Sequence, residues 1–178
     1  DTITGSNGDD LILGDSNSYS SSGGNDWLLA GYGEDTVYGG GGADRITGDQ
    51  DSDLLYGGYG ADTLDGGSED DLLYGDNDND SLIGGTGDDG LNGGAGDDIL
   101  IGGTGSDALI GGSGADQFVF AVGDVAGDII ADFAIGTDQI VFSGFDPAAT
   151  FTNPDADYVW TLDDGVGGSF DITITGVT

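Results

Sequence analysis

The sequence contains no cysteine, methionine or histidine, and its only basic side chain is that of Arg45. Without cysteine, no disulfide holds the chain together. Without histidine, cysteine and lysine, zinc sites and nucleophile–base catalytic pairs are nearly excluded. No apolar run is long enough to cross a bilayer, and the first residues lack the pattern of a cleaved signal peptide. We therefore predict that this chain neither inserts into a membrane nor acts as an enzyme. Any catalytic activity would belong to sequence outside this chain.

Acidic residues and glycine are abundant. The 178 residues include 35 acidic side chains and 39 glycines, and the formal net charge is −34. Self-repulsion and the conformational freedom of glycine both oppose compaction. Nucleic acid and anionic lipid would be repelled by such a chain, so neither is expected as a partner. A cation or a basic protein is needed to neutralise the acidic groups.

A nine-residue period organises the first two thirds of the chain. Ten units follow in unbroken phase from Ala30 to Val119, and 5–13 is another unit. Residues 1–4 end a further unit, and 14–29 form one that has grown by seven residues near 16–22. The sixth position is aspartate in all thirteen units: Asp1, Asp10, Asp26, Asp35, Asp44, Asp53, Asp62, Asp71, Asp80, Asp89, Asp98, Asp107 and Asp116. The eighth position is always apolar: Ile3, Ile12, Leu28, Val37, Ile46, Leu55, Leu64, Leu73, Leu82, Leu91, Leu100, Leu109 and Phe118.

This period predicts an all-β fold of stacked coils. The three residues around the apolar position suit a very short strand, and the six before it suit a turn in which glycines at the first, second and fourth positions adopt positive φ. If each turn reverses the chain, two units make a coil of 18 residues. Successive coils then stack about 4.8 Å apart as two parallel sheets. We predict a right-handed parallel β-roll with a β-rich C-terminal cap.

Stacked turns would bring the sixth-position carboxylates together with backbone carbonyls between layers. Such oxygen-only cages suit a hard cation with flexible coordination, above all calcium. Thirteen turns paired at i and i+2 give eleven inter-layer sites, so we expect roughly eight to eleven calcium ions. Because each coil buries only two large side chains, we also expect folding to depend on calcium binding.

Units such as GGYGADTLD (57–65), GGAGDDILI (93–101) and GGSGADQFV (111–119) resemble repeats-in-toxin (RTX) nonapeptides. The resemblance covers residues 1–119, which would form the calcium-binding roll. The stretches GADQFVF (114–120) and GDIIADFAIGTDQIVF (127–142) resemble the segment that closes the roll in serralysin-type proteases, so residues 120–178 would form such a cap. The resemblance implies a structural and export domain of a larger bacterial protein, secreted by a type I system through an uncleaved C-terminal signal.

The resemblance also implies a ligand set, formed by the sixth-position aspartates together with carbonyls near the second and fourth positions. Glycine occupies most of those positions: Gly31, Gly33, Gly40, Gly42, Gly58, Gly60, Gly67, Gly85, Gly87, Gly94, Gly96, Gly103, Gly105, Gly112 and Gly114. Acidic residues replace glycine at Asp49, Asp51, Glu69, Asp76 and Asp78. These carboxylates could add ligands or could change the turn.

The C-terminal segment lacks the period but contains β-like runs. Strands are expected at 118–122, 128–133, 139–142, 158–162 and 169–174, separated by Gly, Pro and Asp turns. A cap would cover the open strand edges of the roll. Asp132 and Asp138 could bind one more calcium ion, or could be loop acids in solvent.

The outward seventh and ninth positions of alternate units predict a ladder of Tyr38, Tyr56 and Tyr74 on one sheet, flanked by Leu54 and Leu72. The ladder could dock an adjacent domain, another copy of the chain or an extracellular polysaccharide. Alternatively, it could only stabilise the sheet through cross-strand pairs. A surface-binding role, as polysaccharide binder, adhesin or surface-layer protein, is therefore the second functional hypothesis. An ice-binding role is disfavoured because the third and fifth positions form no regular array of small polar residues.

Overall fold

A computed structural model describes residues 1–15, 21–122, 124, 127–144, 150–152, 159–163 and 169–175. Within these residues the chain is all-β, and no helix is long and apolar enough to span a membrane. Most of the predicted loop insertion at 16–22 lies outside the described residues. The strands, numbered in chain order, are β1 Thr2–Thr4, β2 Leu11–Leu13, β3 Trp27–Tyr32, β4 Thr36–Gly41, β5 Arg45–Gln50, β6 Leu54–Tyr59, β7 Thr63–Ser68, β8 Leu72–Asn77, β9 Ser81–Thr86, β10 Gly90–Ala95, β11 Ile99–Thr104, β12 Ala108–Ser113, β13 Gln117–Ala121, β14 Asp128–Ile130, β15 Gln139–Ser143, β16 Thr150–Thr152, β17 Val159–Asp163 and β18 Ser169–Ile174.

The strands alternate between two sheets, as the predicted coil requires. One sheet has the order β1-β3-β5-β7-β9-β11-β13-β15, and the other has the order β16-β17-β18-β14-β12-β10-β8-β6-β4-β2. Within the unbroken repeats each residue pairs with the residue 18 positions further along, as Leu55 does with Leu73. The all-β parallel roll of 18-residue coils is therefore confirmed.

The strands are longer than the sequence predicts. Each regular strand covers six residues, such as Thr36–Gly41, because pairing continues past the apolar position to the second and third residues of the next unit. Only the first position is skipped in the register. The glycines there have no side chains to pack, but their neighbours still form the inter-strand hydrogen bonds of a parallel ladder.

The core is a single column of side chains between the sheets. Every eighth-position residue from Ile12 to Phe118 is buried, and from Leu28 onward none is more than 1% exposed. Toward the C-terminus the column widens, since Phe120, Ile130, Ile172 and Ile174 are also buried. One apolar side chain per unit fixes the register of the roll but leaves little other packing.

The C-terminal segment continues both sheets. The five predicted strand regions overlap β13, β14, β15, β17 and β18. The short strand β16 was not predicted from the sequence. Strand β13 spans the predicted boundary at residue 119, β15 extends the first sheet, and β18 joins the second sheet beside β14. Antiparallel pairing of β16, β17 and β18 then ends that sheet.

Candidate metal centre

The sixth-position aspartates lie at the turns, with their side chains directed into the roll. From Asp26 to Asp116 all eleven are buried. One carboxylate oxygen of each regular aspartate, Oδ1, accepts a hydrogen bond from the backbone N–H of the equivalent aspartate one coil earlier. Asp71 Oδ1, for example, accepts from Asp53 N at 2.8 Å, and Asp53 Oδ1 accepts from Asp35 N at 2.8 Å. This ladder of charge-assisted bonds fixes the carboxylates in one orientation.

The second oxygen of the same carboxylates, Oδ2, is buried without a hydrogen-bond partner. The affected residues are Asp26, Asp35, Asp44, Asp53, Asp62, Asp71, Asp80, Asp89, Asp98, Asp107 and Asp116. A buried polar atom without a partner costs about 1–3 kcal/mol, and more when it is charged. Eleven repetitions of this arrangement indicate that something other than protein completes it.

In seven units, the first position lies against both the orphaned oxygen of its own unit and the first-position carbonyl of the next coil; these are the units of Asp26, Asp44, Asp53, Asp62, Asp71, Asp80 and Asp89. A methyl group added at Gly57 would lie 2.5 Å from Asp62 Oδ2 and 2.9 Å from Gly75 O. Glycine leaves space at this position in every unit except that of Ala30, whereas we expected it to supply positive φ, which no first-position glycine adopts. The missing side chain leaves a gap lined by oxygen atoms.

Positive φ is found at the second and fourth positions, as predicted. Gly58 and Gly60 have φ of 111° and 113°. The carbonyl oxygens of Gly40 and Gly42, one coil earlier, lie where a Cβ atom would stand on Gly58 and Gly60. Second- and fourth-position carbonyls therefore face the next coil, and first-position carbonyls face the previous one.

The acidic replacements keep this turn shape. All five predicted non-glycine residues have left-handed φ: Asp49 (90°), Asp51 (71°), Glu69 (74°), Asp76 (74°) and Asp78 (75°). Two of the side chains have a backbone partner one coil away, because Asp51 Oδ2 accepts from Gly33 N and Asp78 Oδ2 from Gly60 N. The carbonyl positions of the turn are thus retained at a cost of about 1–2 kcal/mol of backbone strain per residue.

The donor set between successive turns fits calcium. It consists of one orphaned carboxylate oxygen per turn and carbonyl oxygens of the first, second and fourth positions, all hard ligands. Within the described residues, no three acidic, histidine or cysteine side chains converge as a metal cluster, and a cation held between these turns would take most of its ligands from backbone carbonyls. The first-position carbonyls were missed in the sequence, although the near-invariant glycine there was a signal for them.

Burial raises the pKa of the sixth-position aspartates from Asp35 to Asp116. The pKa rises to about 7 for Asp53, Asp62 and Asp71 and to about 8 for Asp80, mainly because of desolvation. The backbone hydrogen bond to each carboxylate opposes the shift, and neighbouring aspartates add to it. A divalent cation beside Oδ2 would favour the ionised carboxylates in this environment.

The two N-terminal aspartates differ from the others. Asp10 Oδ2 already accepts hydrogen bonds from the backbone N–H and hydroxyl of Ser6. Asp1 is exposed, and its amino group contacts Asp26 Oδ1. The structure therefore places these two predicted ligands in the turn rows without an orphaned oxygen.

The C-terminal candidates also have backbone partners. Asp132 Oδ1 and Oδ2 accept from Gly111 N and Gly112 N, and Asp138 Oδ1 and Oδ2 accept from Asp116 N and Ala134 N. Sequence reasoning missed Asp128, which is buried and whose Oδ1 accepts from Asp107 N at 2.9 Å. An apolar residue two positions after it, Ile130, matches the spacing within the repeats and was an available signal.

A second ladder of hydrogen bonds runs along the fifth position, and it was also missed. Asp70 Oδ1 accepts from Asp88 N at 2.9 Å, and Asn79 Oδ1 accepts from Asp97 N at 2.9 Å. This ladder runs opposite to that of the sixth position, since the side chain belongs to the earlier coil. Neighbouring turns are therefore joined by side-chain hydrogen bonds in both directions along the stack.

The predicted tyrosine ladder is present on the ten-stranded sheet. The ring centroids of Tyr38 and Tyr56 are 4.7 Å apart with an interplanar angle of 2°, and those of Tyr56 and Tyr74 are 5.0 Å apart at 12°. Leu72 beside the ladder is 47% exposed. The rings lie over one another, so the faces of Tyr56 are covered by its neighbours.

Comparison with known proteins agrees with the geometry of the turns. A family model described as RTX calcium-binding nonapeptide repeat matches four times, at residues 1–18, 20–55, 56–91 and 83–118. No curated protein sequence matches the chain significantly. Among solved structures, the crystal structure of the extracellular lipase LipA from Serratia marcescens matches with 20% identity and a TM-score of 0.34, over 100% of this chain and 38% of the lipase chain. The repeats span more than half of the sequence and contain the eleven buried turn aspartates, and on these grounds the chain belongs to the RTX calcium-binding nonapeptide repeat family, whose members are secreted bacterial proteins.

Proposed function

We propose that this chain is a module whose roll folds when calcium fills the turns, and that it serves as a structural and export domain of a larger extracellular bacterial protein. The observation that carries the proposal is the row of eleven buried, partnerless Oδ2 atoms. Seven of these atoms lie, together with the first-position carbonyl of the next coil, around the place where a first-position glycine has no side chain. In the absence of a cation, the folded roll would have to bury these carboxylates unpaired or protonate them.

The number of ions follows from the turn pairs. Orphaned oxygens occur from Asp26 to Asp116, whereas Asp10 Oδ2 accepts from Ser6 N and Asp1 is exposed. We propose roughly eight to eleven calcium ions, at sites built from the sixth-position aspartates and the carbonyls of the first, second and fourth positions. Asp132 and Asp138 are better described as caps for backbone N–H groups than as ligands.

The roles that we propose for the two segments of the chain follow from the same geometry. Residues 1–119 form the calcium-binding roll, and residues 120–178 form a capping segment that closes it. Export by a type I system would deliver the chain unfolded from low cytosolic calcium to an extracellular medium, where millimolar calcium fills the turns. Any catalytic activity would reside outside this chain, because the acidic side chains of the turns are engaged in the ladders.

A calcium titration of the purified chain tests this function. Circular dichroism should change from a disordered to a β signal between chelator and millimolar calcium, and equilibrium dialysis should count roughly eight to eleven bound ions. Magnesium at the same concentration is the control, because it demands a smaller and more regular coordination shell. An unchanged β signal in EDTA, or binding of only one or two calcium ions, would contradict the proposal.

A further inference from the structure

The tyrosine ladder ends at Tyr74, one ring face of which has no aromatic neighbour among the described residues. Its other face is stacked on Tyr56. On the next strand of the sheet, the residue paired with Tyr74 is Asn92, and the one after that is Ile110. Asn92 therefore occupies the place at which the ladder would carry a fourth ring.

A groove lies at this place. Its cavity of about 180 Å³ is lined by Leu72, Tyr74, Gly90, Asn92, Ala108 and Ile110. It exists because Gly90 and Ala108 follow Leu54 and Leu72 in the same row, so two large side chains are succeeded by two small ones. Since a cavity of about 150 Å³ can hold benzene, the groove has room for one six-membered ring.

The lining combines apolar walls with the side-chain amide of Asn92. Leu72 and Ile110 supply aliphatic walls, and the open face of Tyr74 supplies an aromatic one. In the described part of the chain, the side-chain amide of Asn92 makes no hydrogen bond, whereas the amide of Asn77 donates to Gly58 O. No lining residue is charged, although the chain carries 35 acidic side chains.

We propose that this groove binds one neutral pyranose ring of an extracellular glycan, stacked on Tyr74 and hydrogen-bonded by Asn92. A pyranose has an apolar C–H face for the tyrosine ring and hydroxyl groups at its edge for the amide. A purely apolar aromatic side chain would fit the walls but would leave the Asn92 amide desolvated and unpaired. An anionic sugar would be repelled by the net charge of −34.

The groove is distinct from the calcium turns. It also restricts ligand binding by the tyrosine ladder to the ring of Tyr74. A glycan has no access to the faces of Tyr56, because each neighbouring ring centroid lies within 5.0 Å of its own. The first two rungs of the ladder therefore stabilise the sheet and support Tyr74. Only the end of the ladder offers a ring face to a ligand in the groove, so binding involves one subsite and is weak.

The test uses the calcium-loaded chain and three neutral probes: cellohexaose, mannohexaose and a galactohexaose. We expect at least one of them to shift the NMR signals of the Asn92 side-chain amide and the Tyr74 ring. Asn92→Tyr adds a fourth ring that fills the groove, so it should weaken this binding at least tenfold while the β signal is retained. Asn92→Ala should weaken it severalfold by removing the hydrogen bond alone.

Tyr38→Ser is the matched control, because it removes a ring from the far end of the same ladder without touching the groove. Its affinity for the probe should stay within twofold of the wild-type value. The proposal is overturned if no probe shifts the Asn92 amide, or if Tyr38→Ser weakens binding as much as Asn92→Tyr. Self-association of the wild-type chain that Asn92→Tyr abolishes would assign the groove to a second copy and would also overturn it.

Discussion

The last repeat turn and the C-terminal turn that follows it place aspartates at equivalent points, and these aspartates have different partners. Asp116 Oδ1 accepts from Asp98 N, while its Oδ2 is buried with no partner. Asp138 Oδ1 accepts from Asp116 N, and its Oδ2 accepts from Ala134 N at 2.8 Å. The same carboxylate ladder thus continues past the repeats, but the second oxygen is satisfied by the protein itself.

The cores of the two regions differ in the same sense. A repeat contributes one buried leucine, isoleucine or valine, whereas the C-terminal region adds Phe120, Ile130, Ile172 and Ile174 to the column. Phe133 and Phe142 pack against this core, where the ring of Phe142 lies 6.2 Å from that of Phe120. In the C-terminal region, packing and backbone N–H groups supply the stabilisation that we propose a cation supplies in the repeats. The two regions should therefore respond differently to calcium, protons and substitution.

The largest difference is expected with pH in the absence of calcium. Burial raises the pKa of Asp44 to about 6, that of Asp53 to about 7 and that of Asp80 to about 8, so the calcium-free roll takes up protons when it folds. That contribution to stability is present below about pH 4 and is lost as the pH rises through about 6 to 8. In EDTA we expect a β signal near pH 5 that disappears at pH 8.

Hydrogen exchange should locate the acid-induced protection in the turns between Asp26 and Asp116. With millimolar calcium the dependence reverses, because protons compete with the metal for the same oxygens, and affinity should fall as the pH is lowered. An EDTA sample with equal β content at both pH values would show that burial of these carboxylates does not limit folding.

The same substitution in the two regions should have different costs. Gly57→Ala places a methyl group 2.5 Å from Asp62 Oδ2 and 2.9 Å from Gly75 O, in the gap where the cation is expected. We expect a loss of about 3 kcal/mol in calcium from overpacking, together with one fewer bound ion. Gly136→Ala meets no atom within 4 Å and has only its φ of 88° against it, so it should cost about 1 kcal/mol.

Denaturant unfolding in millimolar calcium and equilibrium dialysis check both effects. One repeat already has alanine at the first position, Ala30, whose side chain is fully buried. If Gly57→Ala retains every calcium ion, the turn holds a methyl group and a cation together, and the proposed position of the metal is wrong. The Ala30 turn would then hold both as well.

Asparagine substitutions compare the carboxylates directly. In Asp71→Asn the amide oxygen can still accept from Asp53 N, but an NH₂ group replaces the orphaned oxygen and cannot bind a metal. We expect calcium affinity at that turn to fall roughly 30-fold, or about 2 kcal/mol. Asp132→Asn should leave calcium binding unchanged, because both of its oxygens contact backbone N–H groups. Isothermal titration calorimetry separates the two; equal losses would make Asp132 a ligand after all.

Much of the fold could be predicted because the nine-residue period places the same residue types at the same positions of every unit. Leu55 and Leu73 recur at the eighth position and lie in register 18 residues apart, so the coil, its two sheets and its core follow from the spacing alone. The left-handed turns could be predicted from Gly58 and Gly60, which need positive φ. The tyrosine ladder followed from the same register.

The features that could not be predicted depend on the orientation of individual carbonyl and carboxylate oxygens in the turns. The first-position carbonyl of Gly75 and the hydrogen bond from Asp88 N to Asp70 Oδ1 are set by the exact rotation of each turn, which the period does not encode. Asp128 was missed because the spacing between turns changes from 18 to 21 residues after Asp107. The groove at Asn92 arises from two small residues in adjacent coils and becomes visible only when the coils are stacked.

The smallest expected effect concerns strained turns within the repeats. Glu69 has a φ of 74°, and among the described contacts its side chain makes no hydrogen bond. Glu69→Gly relieves the left-handed strain and keeps the backbone carbonyl, so we expect the calcium-loaded roll to gain about 1 kcal/mol. Asp51 has a φ of 71°, but its carboxylate accepts from Gly33 N.

Asp51→Gly therefore relieves the same strain and loses a hydrogen bond worth about 1 kcal/mol, so its net effect should be close to zero. Denaturant unfolding in saturating calcium measures both variants. A destabilised Glu69→Gly would mean that its carboxylate contributes to cation binding in the turn, and the acidic replacements would then be additional ligands. Equal gains in both variants would instead mean that the Gly33–Asp51 hydrogen bond contributes nothing, and that turn strain alone distinguishes these units from those with glycine.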